Sequence, residues 1–415
     1  MKHIVIIGNS AAGVSAAEAI RKIDSNVKIT IFTDEHYPAY YRYLIADMLT
    51  QKFNEKDVYY KQKGFYDNLG VRVEYGKKIE KVVPVRNYIM LLDKTKISYD
   101  CLVVATGKKM KLPREFKGAN KHGVIGFDSI ENVRDILELL PITNTVSVWG
   151  GNIAGLTAAC ALSQKINIEV KLILGKQGLL PGIVDARGAE LIIEKFKAKG
   201  IEVISDTEIV EVFGDTDVKA VKLDTGKVIG CGILIVDKYL VPQTKILQES
   251  EIAISPGIIV DKFLRTNVPS VFAAGDVIAC TGEEKSWQRA LFQGEIAGYN
   301  AMMFLKETTE QMIEYKEVQV VKKLEFFDLP LTSSGIINKF QDDNLEELIF
   351  APPEIISYNK IILRDSKIAG FLELGESKNS EVYVKLMQLQ ADISNYKNDL
   401  FTERFNAELV KDLIA

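Results

Sequence analysis

His3-Ile4-Val5-Ile6-Ile7-Gly8-Asn9-Ser10-Ala11-Ala12-Gly13-Val14 opens the chain, and its reading decides the fold. An apolar run reads as a buried strand, and the small residues after it read as a tight turn into a helix. Gly8 suits the turn, a small residue at Ser10 lets a ligand approach the backbone, and Gly13 lets helix and strand pack closely. The free N–H groups and positive dipole end of the helix then favour a diphosphate. A second strand covers 27–32, and Glu35, 27 residues after Gly8, stands where a carboxylate can hold the ribose hydroxyls of an adenosine. The plan repeats further on: a strand at 145–149, a turn at Gly150-Gly151-Asn152, a helix from Ala154 to Leu162 and a strand at 168–174. Two copies imply two dinucleotide-binding folds.

A chain of 415 residues fits two to four domains at roughly 150 residues each. With 47% hydrophobic and 26% charged residues, neither a disordered chain nor a fibrous repeat fits. Lys and Arg total 52 against 56 Asp and Glu, a formal charge of -4 that offers no general attraction for nucleic acid or anionic lipid. The basic start before Ile4–Ile7 is too short an apolar run for a secretion signal. No stretch approaches the ~20 apolar residues of a membrane span, so the expectation is a cytoplasmic protein with no membrane or nucleic-acid partner.

Strand-like and helix-like segments alternate through the first ~300 residues, as expected of parallel sheets with crossover helices. Segments 71–75 and 88–92 alternate in polarity and are expected to be half-exposed antiparallel strands. Asp128 with Glu131 predicts a capping box for the following helix. Beyond ~310, short antiparallel strands are expected near 318–321, 358–363 and 368–372, then a helix over 381–391 and a solvated terminal helix over 394–415.

Two more strands end in distinctive turns: Cys101-Leu102-Val103-Val104-Ala105-Thr106-Gly107 and Val271-Phe272-Ala273-Ala274-Gly275-Asp276. With the opening turn, they resemble the signature set of the flavoprotein pyridine nucleotide-disulfide oxidoreductase superfamily. The stretch Pro38-Ala39-Tyr40-Tyr41-Arg42-Tyr43-Leu44, the helix starting at Trp287-Gln288-Arg289-Ala290, and the pair of segments 358–365 and 368–375 are similar to the NADH:rubredoxin reductase and nitrite-reductase-type subgroup. The resemblance implies an α/β protein with two Rossmann-like, three-layer (ββα) domains, one inserted in the other, plus a C-terminal α+β domain. The boundaries it suggests are 1–109 with 243–308 for the FAD domain, 110–242 for the NAD(P)-like domain, and 309–415 for the last. It implies FAD held by Gly8, Ser10, Ala11, Ala12, Gly13, Glu35, Arg42, Ile79, Ala105, Thr106, Gly107, Gly275, Asp276 and Trp287. Lys108 or Lys109 could approach the flavin edge or simply be a solvated loop lysine.

The reactive thiols of that superfamily are missing. Cys101, Cys160, Cys231 and Cys280 form no C-x-x-C or C-x-x-x-x-C pair, and no cysteine falls within 40–44. Cys101 and Cys160 read as small buried hydrophobes. With three histidines (His3, His36 and His122), neither a histidine metal site nor a triad is expected. The flavin is then the only redox centre, with no catalytic side chain required.

The second fold departs from the family. Gly150, Asn152, Ile153 and Gly155 are its candidate NAD(P) contacts, but Asn152 stands at the middle glycine, Leu174 at the acidic position, Thr157 where relatives carry Glu, and Tyr239 where they carry Gly. Lys176 could pair with a 2′-phosphate and favour NADPH. The reading that follows is an FAD-dependent oxidoreductase passing electrons between NAD(P)H and an iron–sulfur protein such as a rubredoxin or ferredoxin. Its alternatives are an FAD electron-transfer subunit of a larger redox complex whose pyridine nucleotide site no longer binds, or a non-catalytic FAD-dependent sensor. The family also suggests a homodimer.

Overall fold

The structure, a computed structural model, describes residues 1–50, 52–279, 286–317, 319–339, 344–352, 357–376, 379–402 and 404–414. Cys280 lies outside the described residues. The chain divides into two compact units. Met1–Leu44, Phe53–Lys111 and Tyr239–Val318 form the first; Ile45–Lys52, Leu112–Lys238 and Gln319–Ala415 form the second.

The first unit is built on a five-stranded parallel sheet in the order Val271–Ala273, Cys101–Val104, His3–Ile7, Lys28–Phe32 and Arg72–Glu74. Its central strands are near-continuous apolar runs because they are buried on both faces. Helices Ala11–Ile23 and Trp287–Leu305 pack on each other closely, since a Cβ on Gly294 or Gly298 would run into the backbone oxygens of Ala12 and Ala16. A three-stranded antiparallel sheet, Ile79–Val83, Tyr88–Leu91 and Lys96–Ser98, adds Val82 and Ile89 to the same core. The expected antiparallel strand at 88–92 is thus present, but 71–75 is not one: Arg72–Glu74 pairs in parallel with Lys28–Phe32. Its alternation reflects its place at the sheet edge, where one face is left partly open.

The second unit repeats the parallel plan in the order Glu202–Ile204, Glu169–Ile173, Thr145–Trp149, Ile233–Val236 and Val124–Gly126. Helix Ile153–Ser163 follows the Gly150 turn, and Ile209–Phe213, Ala220–Leu223 and Val228–Gly230 form its antiparallel sheet. Helix Ile130–Leu139 is capped by Ser129, whose Oγ accepts the Asn132 N–H at 3.2 Å, and not by the expected Asp128–Glu131 box. Ser129 is the residue in extended conformation at the entry, and this fixes the cap one position later.

The same unit contains a five-stranded antiparallel sheet ordered Val321–Phe326, Leu329–Gly335, Lys367–Leu374, Tyr358–Arg364 and Leu345–Phe350, with helix Ser380–Leu389 packed on Lys367–Leu374. Its first strand starts at Val321, and Val318 lies outside the described residues. The tail is not a solvated helix. Only Ser394–Tyr396 and Lys411–Ile414 are helical turns among its described residues, while Leu400, Phe405 and Val410 are buried against Ile361, Phe371 and Tyr383. Leu400, Phe405 and Val410 recur every fifth position, so no single helical face could bury all three.

Asp185, the N-cap of helix Ala186–Ala198, accepts from Gly188 N (2.9 Å), Tyr358 Oη (2.6 Å) and Lys360 Nζ (2.9 Å), and Lys360 also pairs with Glu347. Burial alone would raise the Asp185 pKa, but these hydrogen bonds outweigh it and hold the carboxyl below its usual range.

Candidate functional site

In the first unit the turn after His3–Ile7 is set by close backbone approach. Gly8 has φ +116°, a Cβ there would strike Ala105 O, and one on Gly13 would strike Gly8 O. The strand end Ala105-Thr106-Gly107 is therefore pressed against the turn. It is pinned from Gln243, whose Nε2 donates to Thr106 O at 2.6 Å while Thr106 Oγ1 donates to Gln243 O at 2.9 Å. Gly275 (φ +82°) brings the other strand end to the same helix start, where a Cβ would stand 3.1 Å from Ala12 Cβ. Ser10 is the N-cap residue of helix Ala11–Ile23 and makes no side-chain cap bond. Ser10, Ala11, Ala12 and Gly13 thus form a small-residue helix start with its N–H groups turned to the turn.

Ser10, Glu35 and Arg42 meet beside it. Arg42 Nη2 pairs with Glu35 Oε1 at 2.8 Å, Nη1 donates to Tyr40 Oη at 2.9 Å, and Nε donates to Ser10 Oγ at 3.4 Å. Asp276 pairs with Lys108 Nζ at 3.1 Å, which makes Lys108 a partner of the Gly-Asp turn; neither lysine is on a loop, since Lys108–Met110 is a strand paired with Leu240–Pro242, in which Lys109 is exposed. The Ile79 side chain is buried in the core of this unit.

Trp287 is the first residue of helix Trp287–Leu305, whose N-cap Ser286 accepts from Arg289 N at 3.1 Å. Its indole lies 5.4 Å from Tyr41, 5.9 Å from Tyr43 and 5.3 Å from Tyr60, a four-ring cluster in which Tyr43 is exposed. Burial and the neighbouring Tyr41 and Tyr60 push the Tyr43 pKa up. Two buried amides at the site keep unpartnered donors, Asn9 Nδ2 and Gln293 Nε2. Asn9 Oδ1 accepts from Tyr66 Oη at 2.7 Å, and Gln293 Oε1 accepts from Gly275 N at 2.9 Å, so each NH₂ is held in a fixed direction. Sequence reading missed Asn9, Tyr66, Gln243 and Gln293; a polar residue inside an apolar or glycine-rich stretch was the available signal.

In the second unit, Gly150 (φ +136°) repeats the close approach, its Cβ position overlapping Asp237 O. The rest differs. Asn152 Nδ2 turns back and donates to Asp237 O at 2.7 Å, and Asp237 Oδ2 accepts the Gly155 N–H at 2.7 Å. Ile153 is the first helical residue. Leu174, at the expected acidic position, is buried, and Lys176 is exposed. Glu208 fills the neighbourhood of Gly175, bonded to Lys238 Nζ (2.6 and 2.5 Å) and to Trp149 Nε1 (3.0 Å).

Cys101, Cys160 and Cys231 are buried. Burial pushes the Cys160 thiol up to about 12 and raises Cys101 and Cys231 as well, so none is a thiolate near neutral pH. Among the described residues no cluster of His, Cys, Asp or Glu could hold a metal, and no helix is long and apolar enough to cross a membrane.

The assimilatory nitrate reductase electron transfer subunit of Bacillus subtilis (strain 168) is 23% identical over 414 residues, 99% of this chain and 52% of its own length, so the chain spans about half of that relative. Rubredoxin-NAD(+) reductase of Ectopseudomonas oleovorans is 26% identical over 66% of this chain and 71% of its own. The solved putidaredoxin reductase–putidaredoxin complex has the same fold, with a TM-score of 0.84 at 16% identity over 100% of this chain and 99% of that one. A family described as Rubredoxin NAD+ reductase C-terminal domain matches residues 321–391, the antiparallel sheet and its helix. The strand ends that converge on the two glycine turns fall within residues 2–294, the span matched by the model of the Pyridine nucleotide-disulphide oxidoreductase family, and the chain belongs to that family.

Proposed function

We propose that this chain is an FAD-dependent oxidoreductase that passes electrons between NAD(P)H and an iron–sulfur protein of rubredoxin or ferredoxin type, without redox-active cysteines. The observation that carries it is the small-residue start of helix Ala11–Ile23, whose N-cap Ser10 makes no side-chain cap bond, with Gly8, Gly13 and Gly275 around it in a cradle that any Cβ would crowd. The directed, unpartnered amides of Asn9 and Gln293 are what a buried polar cofactor would satisfy. Names of relatives support the acceptor class, as does the C-terminal match.

In this reading 1–109 with 243–308 is the FAD domain, 110–242 the pyridine nucleotide domain and 309–415 the C-terminal domain. FAD would supply the conversion between a two-electron donor and a one-electron acceptor. The N–H groups of Ala11, Ala12 and Gly13 would face its diphosphate, Glu35 its ribose, and Asp276 its ribityl region, while Arg42 holds Glu35 and Ser10 in place. Ala105, Thr106 and Gly107 would line the ring with their backbone, Ile79 would contribute backbone only, and Trp287 with its three tyrosines would wall the site against water. Gly150, Asn152, Ile153, Gly155 and Lys176 would meet NAD(P)H.

A second reading has a specific observation behind it. In an FAD electron-transfer subunit of a larger complex, the second site need not bind nucleotide, and there Asn152 Nδ2 donates to Asp237 O while Asp237 Oδ2 takes the Gly155 N–H at the helix start. Anaerobic mixing of the FAD-loaded protein with NADH and then NADPH separates the two. Prompt bleaching of the flavin absorbance by either supports the first reading; bleaching by neither, with reduction by a low-potential iron–sulfur protein, supports the second.

A further inference from the structure

The two glycine turns of this chain can be compared position by position, because each presses on the end of the neighbouring parallel strand. Ala105 O lies under Gly8, and Asp237 O lies under Gly150. Where the first turn meets an alanine, the second therefore meets an aspartate. Asp237 is 2% exposed, and its Oδ2 accepts at 2.7 Å from the N–H of Gly155, third residue of helix Ile153–Ser163. That N–H is one of the donors a helix start leaves unsatisfied. Asn152, the N-cap residue, makes no side-chain cap bond to its helix and is tied through Nδ2 to Asp237 O. The positive end of this helix already holds a carboxylate from its own chain, bonded in its first turn.

We propose that Asp237 is a specificity-determining residue of the second fold: its carboxylate takes the helix end on which a dinucleotide diphosphate would rest, and so weakens dinucleotide binding there. The proposal rests on the reading of 110–242 as a nucleotide domain. A diphosphate arriving at the first helical turn meets a like charge already bonded in that turn, and the helix dipole is partly spent. Of the nearby lysines, Lys238 is engaged with Glu208, and Lys176 is exposed.

The test is calorimetric titration of the FAD-loaded full chain with ADP-ribose, which carries the diphosphate but no nicotinamide, and with adenosine, which lacks the diphosphate. Wild type, Asp237→Asn and Asp237→Ala are compared. Both variants should bind ADP-ribose at least about tenfold more tightly than wild type, with adenosine affinity unchanged. Asp237→Asn keeps the shape and a bond to Gly155 N–H, so it decides the matter if the alanine variant fails to fold. Equal or weaker ADP-ribose binding by the folded variants, an equal gain for adenosine, or no binding by any of the three would overturn the proposal. Because the readout is heat of binding, failure of NAD(P)H to bleach the flavin leaves this result interpretable on its own.

Discussion

Gly13→Ala is the sharpest perturbation of the first turn. The added Cβ would be driven into Gly8 O, a backbone atom that cannot rotate away, with Ile6 Cγ2 3.4 Å off. Restoring ordinary contact requires roughly 1 Å or more of movement of helix Ala11–Ile23 away from strand His3–Ile7. Overpacking against a fixed backbone atom falls in the upper part of the usual range, about 2–3 kcal/mol, and alanine in a helix returns about 1 kcal/mol, leaving a net loss of about 1–2 kcal/mol. For a unit of this size that is a fall of about 2–8 °C in Tm. The same movement takes the helix N–H donors out of hydrogen-bond range of a diphosphate, so FAD affinity should fall at least about tenfold. Thermal melts with and without added FAD, and fluorescence titration of the stripped protein with FAD, read both effects. Gly230→Ala is the control, since a Cβ there meets nothing within 4 Å. A Gly13→Ala protein that melts like wild type and binds FAD with unchanged affinity would refute the close-approach argument.

Arg42→Ala removes charge-assisted bonds to Glu35, Tyr40 and Ser10 and should weaken FAD binding about 10- to 100-fold by fluorescence titration, with Arg42→Lys recovering little because one ammonium cannot reach all three. Asp185→Asn should destabilise the second unit by about 2–3 kcal/mol at pH 7, because Lys360 loses a buried partner. The Asp185 pKa is lowered in the fold, so its stabilisation is full above the unfolded value of 3.8 and is lost as pH falls through the folded one; melts from pH 6 down to 3 should therefore show a shallower acid decline for Asp185→Asn than for wild type. Replacing all four cysteines by serine should leave flavin reduction and electron delivery unchanged in rate, and iodoacetamide should label Cys160 in the native protein far more slowly than in the unfolded one.

Periodicity and glycine placement made both parallel folds legible, because an apolar strand, a glycine turn and a helix are local events whose geometry the residues themselves dictate. Edge position is not local. Arg72–Glu74 has the alternation of an antiparallel strand and runs parallel because of what it lies beside. The tail escaped for a related reason: Leu400, Phe405 and Val410 share no helical face and acquire meaning only against Phe371 and Tyr383.

At the site, Ser10, Glu35 and Arg42 were readable as separate candidates, yet their mutual pairing depends on a loop returning to the helix start. Asp237 was visible as a charge ending the apolar strand Ile233–Val236, but its bond to Gly155 appears only once strand and helix are side by side. Tyr239 was noted as a bulky replacement for glycine, and it adopts φ +55°, close to the +68° of Gly107, so the backbone of the glycine turn is kept without the glycine.

The most direct test of the functional account is double-mixing stopped flow under anaerobic conditions. FAD-loaded protein is first reduced with a stoichiometric amount of NADH or NADPH and then mixed with oxidised rubredoxin or ferredoxin, with the flavin and iron–sulfur absorbances followed separately. The expected result is flavin bleaching in the first mix and, in the second, flavin recovery matched by reduction of two equivalents of the one-electron acceptor, in wild type and in the cysteine-free variant alike. A flavin that neither nucleotide bleaches, or a reduced flavin that leaves both iron–sulfur proteins oxidised, would contradict it.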